Sequence, residues 1–143
     1  MRCASLRQRA RVARALADRL VDSDVLIDSL RGFGDTGQRM VSASLRDTLF
    51  TTAINVFELE RGARTAEEIS EVRDLLDKVT VLELDRDSAR EAASIDRELR
   101  AAGIRLDTRD TLIAGVARNH RMPLITRNSR HFDRIPGLVV EEL

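Results

Sequence analysis

Tryptophan and tyrosine are absent from this 143-residue chain, which has only four phenylalanines. So few aromatics leave no base-stacking platform of the kind single-strand binders use. Cysteine occurs once, at Cys3. That excludes a disulfide framework and a thiolate zinc site, and a reducing, cytoplasmic setting is expected. Lysine is nearly missing as well: Lys78 stands alone among 24 basic residues, so the positive charge is almost all arginine. Arginine grips phosphate with two parallel donors, which lysine cannot do. No stretch approaches the ~20 apolar residues of a membrane span. Residues 1–20 are basic and lack the apolar run of a signal peptide. A net charge is missing too, because 24 acidic residues cancel the basic ones. This excludes a broad polyanion-binding surface but leaves room for a local basic rim.

What remains reads as one folded domain. Apolar residues make up 43% of the chain, enough to bury a core at this length. Residues 1–18 form a basic N-terminal extension, with Leu6, Ala10, Ala13 and Leu16 at helical spacing, and the domain proper runs over 19–143. Short apolar runs predict strands at 19–22, 49–52, 79–84, 123–126 and 138–142. In 79–84, Val79 and Val81 alternate with Thr80, Leu82 and Leu84. Helical periodicity predicts helices at 23–30, 38–45, 53–63, 65–78, 88–101 and 108–119. Gly32 follows the first of these, and Thr65 with Glu68 forms a capping-box pattern before the fourth. Strands alternating with helices imply an α/β fold: a parallel sheet of four to five strands between two helical layers.

Several polar residues fall where such a sheet places ligands, at the carboxyl ends of strands. Asp22 closes the apolar Leu20-Val21 run just before a helix, where a carboxylate suits a hard divalent cation. The plainer alternative is that Asp22 or Ser23 caps that helix. Asp110 lies one turn before Ile113 and Ala114 on an apolar stripe, a costly place for an unpaired acid. Its alternative is one half of a cap begun by Asp107. Glu58 sits on the polar side of a helix that directly follows strand 49–52; the alternative is a solvated glutamate. Asn128 follows strand 123–126 and could ligate a metal or hold a water, or merely cap a turn. Arg127 and Arg130 flank it as phosphate grips or as solvated charge. His131 is a base, a phosphate donor or a surface residue, and His120 a helix-end cap.

Four segments together resemble a known family. VDSDVLIDSLRG at 21–32, TTAINVFELERGA at 51–63, DTRDTLIAGVARNHRMPLITRN at 107–128 and RHFDRIPGLVVE at 130–141 resemble PIN-domain ribonucleases of the VapC type, toxins of bacterial toxin–antitoxin pairs. The resemblance implies a three-layer α/β/α sandwich and endoribonuclease activity that depends on Mg²⁺ or Mn²⁺. It places metal-binding acids at Asp22, Glu58 and Asp110, with Thr51 or Thr52 ordering them through a hydroxyl. A fourth acid common in the family meets Asn128 here, or His131. A small VapB-type antitoxin is implied as partner. The apolar residues of 36–47 and 53–63, Met40, Val41, Leu45, Val56, Phe57 and Leu59, offer it a surface and also serve a symmetric homodimer. The competing reading is a catalytically weakened PIN module that binds RNA or antitoxin without cutting; convergence of the three acids favours the enzyme. A haloacid-dehalogenase-type phosphatase and a receiver domain both need a lysine where this chain has none.

Overall fold

The computed structural model describes residues 18–32 and 49–142. The helices expected within 1–18 and at 38–45 lie outside the described residues. In chain order the elements are β1 (Arg19–Val21), α1 (Ser23–Arg31), β2 (Leu49–Thr52), α2 (Ala53–Gly62), α3 (Ala66–Leu76), β3 (Thr80–Leu82), α4 (Arg86–Ala101), α5 (Thr108–Asn119), β4 (Leu124–Ile125), α6 (Ser129–Phe132) and β5 (Val140–Glu141). The five strands form one sheet in the order β3-β2-β1-β4-β5, and every pairing is parallel. No described helix is long and apolar enough to cross a membrane.

Strand period sorts the core into two layers. Leu20 of β1 and Leu124 of β4, paired in register, point to one face and join Ile95, Ile113, Val116 and Phe132 of α4, α5 and α6. Val21 and Ile125, the next pair, point to the other face and meet Val25, Leu26, Leu59 and Val72 of α1, α2 and α3. Two apolar residues therefore suffice for a central strand, because both are fully covered. The chain leaves β1 for β2 and β3 on one side, then returns to β4 and β5 on the other. That reversal opens a crevice beyond the carboxyl ends of β1 and its neighbours.

Local signals act as their chemistry requires. Gly32 ends α1 at φ 64°, a left-handed conformation open to glycine, and Thr65 and Glu68 close a reciprocal capping box. Asp107 accepts the Arg109 N–H at 2.9 Å. Several elements are shorter than the sequence reading, the last strand covering Val140–Glu141 rather than 138–142, the helix expected at 65–78 covering Ala66–Leu76, and the strand expected at 123–126 covering Leu124–Ile125; three further details differ. The third strand is shorter, at Thr80–Leu82, and leaves Val81 and Leu84 exposed because it lies at the sheet edge. The fourth helix of the structure, α4, starts two residues earlier, since Asp85 caps it by accepting the Ser88 N–H at 2.8 Å. The four-residue α6 is too short to leave a periodic signal.

Helices α4 and α5 pack closely because Gly115 faces Ala92. A methyl group at Gly115 would lie 2.6 Å from Ala92 Cβ and 2.7 Å from the Ser88 carbonyl oxygen. Alanine favours a helix over glycine by ~1 kcal/mol, but overpacking of this kind costs about 1–3 kcal/mol or more. Gly115→Ala should therefore lower the urea midpoint at constant m; an unchanged midpoint would contradict the close contact.

Candidate active site

Asp22 stands at the centre of the crevice. Its backbone is extended at φ −77°, ψ 159°, so the residue ends β1 and caps α1 at once. The side chain is only 7% exposed, and both its oxygens are engaged. Oδ1 accepts the Ser23 N–H at 2.8 Å and Asn55 Nδ2 at 3.0 Å, and Oδ2 accepts the Thr126 hydroxyl at 2.9 Å. Burial nevertheless pushes its pKa above the usual carboxylate value; the Asp110 charge adds to the rise, and the three hydrogen bonds only moderate it. Asp22 is thus a helix cap, as one reading had it, and its raised pKa is compatible with the other, a metal ligand.

Asp110, in the first turn of α5, is half-buried rather than fully on the apolar stripe. Its pKa is raised by burial, and His131 opposes the rise. Glu58 of α2 is raised by burial first and then by the charge of Asp22; Asp110 adds to this, while Arg109 and a hydrogen bond with Ser23 pull the other way. The three acids therefore share one electrostatic neighbourhood at the sheet's carboxyl edge. They do not form a ready coordination sphere: no three His, Cys, Asp or Glu side chains among the described residues are placed to hold a metal ion together. The donor chemistry still suits Mg²⁺ or Mn²⁺, because it is all carboxylate oxygen and the acids gain by sharing a cation. Without one, like charges repel.

Asn128 precedes α6 but makes no capping bond with its side chain. Its Nδ2 lies 2.8 Å from His131 Nδ1, the amide donating when the ring proton is on Nε2. His131 Nδ1 in turn lies 3.5 Å from Asp110 Oδ2. So Asn128 and His131, alternatives in the sequence, act here as a pair beside Asp110. Arg127 is ion-paired with Asp28. The Thr51 hydroxyl donates to the Val21 carbonyl at 2.9 Å, and Thr52 donates to Asn55 Oδ1 at 2.7 Å.

Asn55, Thr126 and Asp24 are the residues that sequence reasoning missed. Asn55 is fully buried, and its amide spans the site: Nδ2 reaches Asp22 and also Ser23 Oγ at 2.7 Å, while Oδ1 is held by Thr52. Its signal was present as Thr52-x-x-Asn55, a capping box with the shorter Asn in place of the usual Glu or Gln. Asp24 brings a fourth carboxylate beside Asp22, raised by burial and then by that neighbour. A cavity of about 640 Å³ lies at the opposite, amino edge, beside Arg118, Met122 and Leu138. Arg118 there is already held by Glu91 at 2.7 Å and Glu98 at 3.1 Å. No comparable meeting of acids faces that cavity.

Known proteins share this family and fold. The PIN domain family model matches residues 19–138. Ribonuclease VapC10 of Mycobacterium tuberculosis is 38% identical over 113 residues, 79% of this chain and 84% of that relative. Among solved structures, VapBC2 from Rickettsia felis bound to a promoter DNA fragment superposes with a TM-score of 0.81 at 20% identity, covering 88% of this chain and 98% of that one. A toxin–antitoxin complex from Klebsiella pneumoniae does so at 0.71 with 26% identity, covering 87% and 99%.

The raised acids give a stability prediction. Folded Asp110 holds its proton more tightly than the unfolded chain does, so its ionised form opposes folding at neutral pH. That opposition fades as pH falls through the raised value toward the ordinary 3.8. In chelator at neutral pH, Asp110→Asn should melt above wild type, and the gap should close on acidification. A gap that widens on acidification would contradict the raised value.

Proposed function

The chain belongs to the PIN-domain family, and on that premise we propose that it is a VapC-type endoribonuclease toxin that hydrolyses RNA phosphodiester bonds with Mg²⁺ or Mn²⁺. The observation that carries this reading is Asp22: a buried carboxylate whose pKa stays raised despite three hydrogen bonds, within the field of Asp110 and Glu58. Asp22 and Asp110 would hold the cation directly, and Glu58 would hold it directly or through a water, or orient the nucleophile. When bound, the cation polarises the scissile phosphate and lowers the pKa of a bound water. The chain's other residues set the stage. Asn55, Ser23 and Thr126 fix Asp22 in one orientation, as second partners of a metal ligand do. Asn128 and His131 stand beside Asp110 and can hold a water or a phosphate oxygen. Arg109 is exposed near the acids, Arg130 is exposed two residues after Asn128, and both fit the phosphates that flank the cut.

Mn²⁺ at a hundred times its dissociation constant should stabilise the fold by about 2.7 kcal/mol, because only the folded state assembles the acids. Asp22→Asn should cut RNA cleavage by more than the roughly 10–100-fold typical of second partners. An Asp22→Asn variant that cleaves at the wild-type rate would refute the assignment and favour a binding module.

Silencing by a VapB-type antitoxin completes the reading, supported by the toxin–antitoxin neighbours. Of the surface expected to receive it, 36–47 lies outside the described residues. In α2, Leu59 is buried and completes the core, whereas Phe57 is 58% exposed. We assign Phe57 to a contact between two copies of the chain. A groove of about 270 Å³ runs between α1, α2 and α3, floored by Ile27, Leu30 and Val72 and rimmed by Glu58, Glu68 and Glu71. That mixture fits an amphipathic basic segment, and Glu58 joins the groove to the site. Gly62 lines it with open space where a side chain would project. Gly62→Trp should therefore fill the groove and abolish co-purification with the product of the neighbouring small gene. Retained co-purification would place the antitoxin elsewhere.

A further inference from the structure

Residue 127 is held twice by one helix. Asp24 and Asp28 stand one turn apart on α1 and so share a face. Asp24 Oδ2 accepts the Arg127 backbone N–H at 3.0 Å, and Asp28 pairs with the Arg127 guanidinium. One residue earlier, the Thr126 hydroxyl lies between Asp22 Oδ2 at 2.9 Å and Asp24 Oδ2 at 3.3 Å. Regular structure contributes little at this corner, since β4 has two residues and α6 four. Yet the corner carries Asn128, whose N–H donates to Thr126 Oγ1 at 3.0 Å, and His131, which faces Asp110.

The ion pair is lopsided. The Asp28 side chain is 11% exposed, while that of Arg127 is 64% exposed. An exposed arginine beside a nuclease site invites assignment as a phosphate grip. But a phosphate that drew the guanidinium away would strand a desolvated carboxylate, the costly half of a broken buried pair. Arg127 is therefore committed inward. We propose that Arg127 is a positioning residue: clamped by Asp24 and Asp28, it sets where Asn128 and His131 stand against Asp110, and Asp28 withholds its charge from RNA. The clamp spans the same central strands whose carboxyl ends bear the acids, so its slack would be felt there first.

The proposal rests on the RNA-cleavage reading, and its test separates the two. Steady-state cleavage of one RNA would be measured for wild type, Arg127→Gln and Asp28→Asn. RNA affinity against salt would be measured in the Asp22→Asn background, where nothing is cut. Arg127→Gln should lower kcat about tenfold or more with KM little changed, the mark of a group that orients rather than binds. Asp28→Asn should also lower kcat. It should tighten RNA binding at low salt and steepen the log–log salt slope by about 0.7, one phosphate contact on a single strand, because a guanidinium is set free. Asp24→Asn, which keeps an acceptor for the Arg127 N–H, should retain more turnover than Asp24→Ala. The opposite split, with Arg127→Gln raising KM at full kcat, would make Arg127 a phosphate grip and overturn the proposal. A salt slope unmoved by Asp28→Asn would overturn it too. Should wild type cut no RNA, the cleavage reading falls, and the salt slope still judges the clamp.

Discussion

A carboxylate buried at the end of the central strand governs this structure. Charge taken out of water is tolerated only when its lone pairs are met. Asp22 is met from three directions: the start of α1 through Ser23, the first turn of α2 through Asn55, and the end of β4 through Thr126. Each donor lies on a segment that follows or ends a strand of the parallel sheet. The carboxylate therefore ties together the carboxyl ends of β1, β2 and β4. The fit is incomplete by design of the site, for burial still outweighs the hydrogen bonds and keeps its pKa raised. A cation would relieve that strain, so the destabilised apo site and the metal chemistry proposed for it have one physical source.

The rest of the fold serves to keep that edge narrow. Strands of two to four residues are too short to hold a sheet by their own ladders. The helical layers do it instead, one anchored by Leu20 and Leu124, the other by Val21 and Ile125. Contact between α4 and α5 is close enough that Gly115 has no room for a methyl group. This sets α5, and Asp110 in its first turn, against the same edge as Asp22.

How much of this could be read from the sequence depends on the range of the interaction. Asp22 was legible because the signal is local: an apolar run, an acid, then a helix. Asp107 and the Thr65–Glu68 box were legible for the same reason. Asn55 went unread beside Glu58, since its partners Asp22 and Ser23 lie 33 and 32 residues away. The Asp24–Asp28 spacing was visible, but the residue it grips is 99 positions from Asp28. Alternation over 79–84 overstated the third strand, because period alone does not reveal that a strand lies at an edge. Asn128, read as a cap, a water holder or a ligand, makes no side-chain cap and turns its amide to His131, within the four-residue α6 region that has no sequence signature.

The charge balance of the chain acquires a meaning from these pairings. A net charge of zero gives no long-range pull on RNA, and the carboxylates at the site repel it. Under the proposed mechanism, binding would then come from local arginines and from the cation itself. Of the candidates around the site, Arg127 is spent on Asp28 and Arg109 is partly held by Asp107 at 3.3 Å. Among the described residues this leaves less free positive charge at the site, so under the proposed mechanism a backbone phosphate would gain most by resting against the cation. On that reading, weak general affinity and a demand for the cation would make RNA shape, rather than charge, decide which strand is presented for cutting. The same economy explains how a small partner could silence the protein: a single basic side chain placed against Glu58 would take the charge that the cation needs.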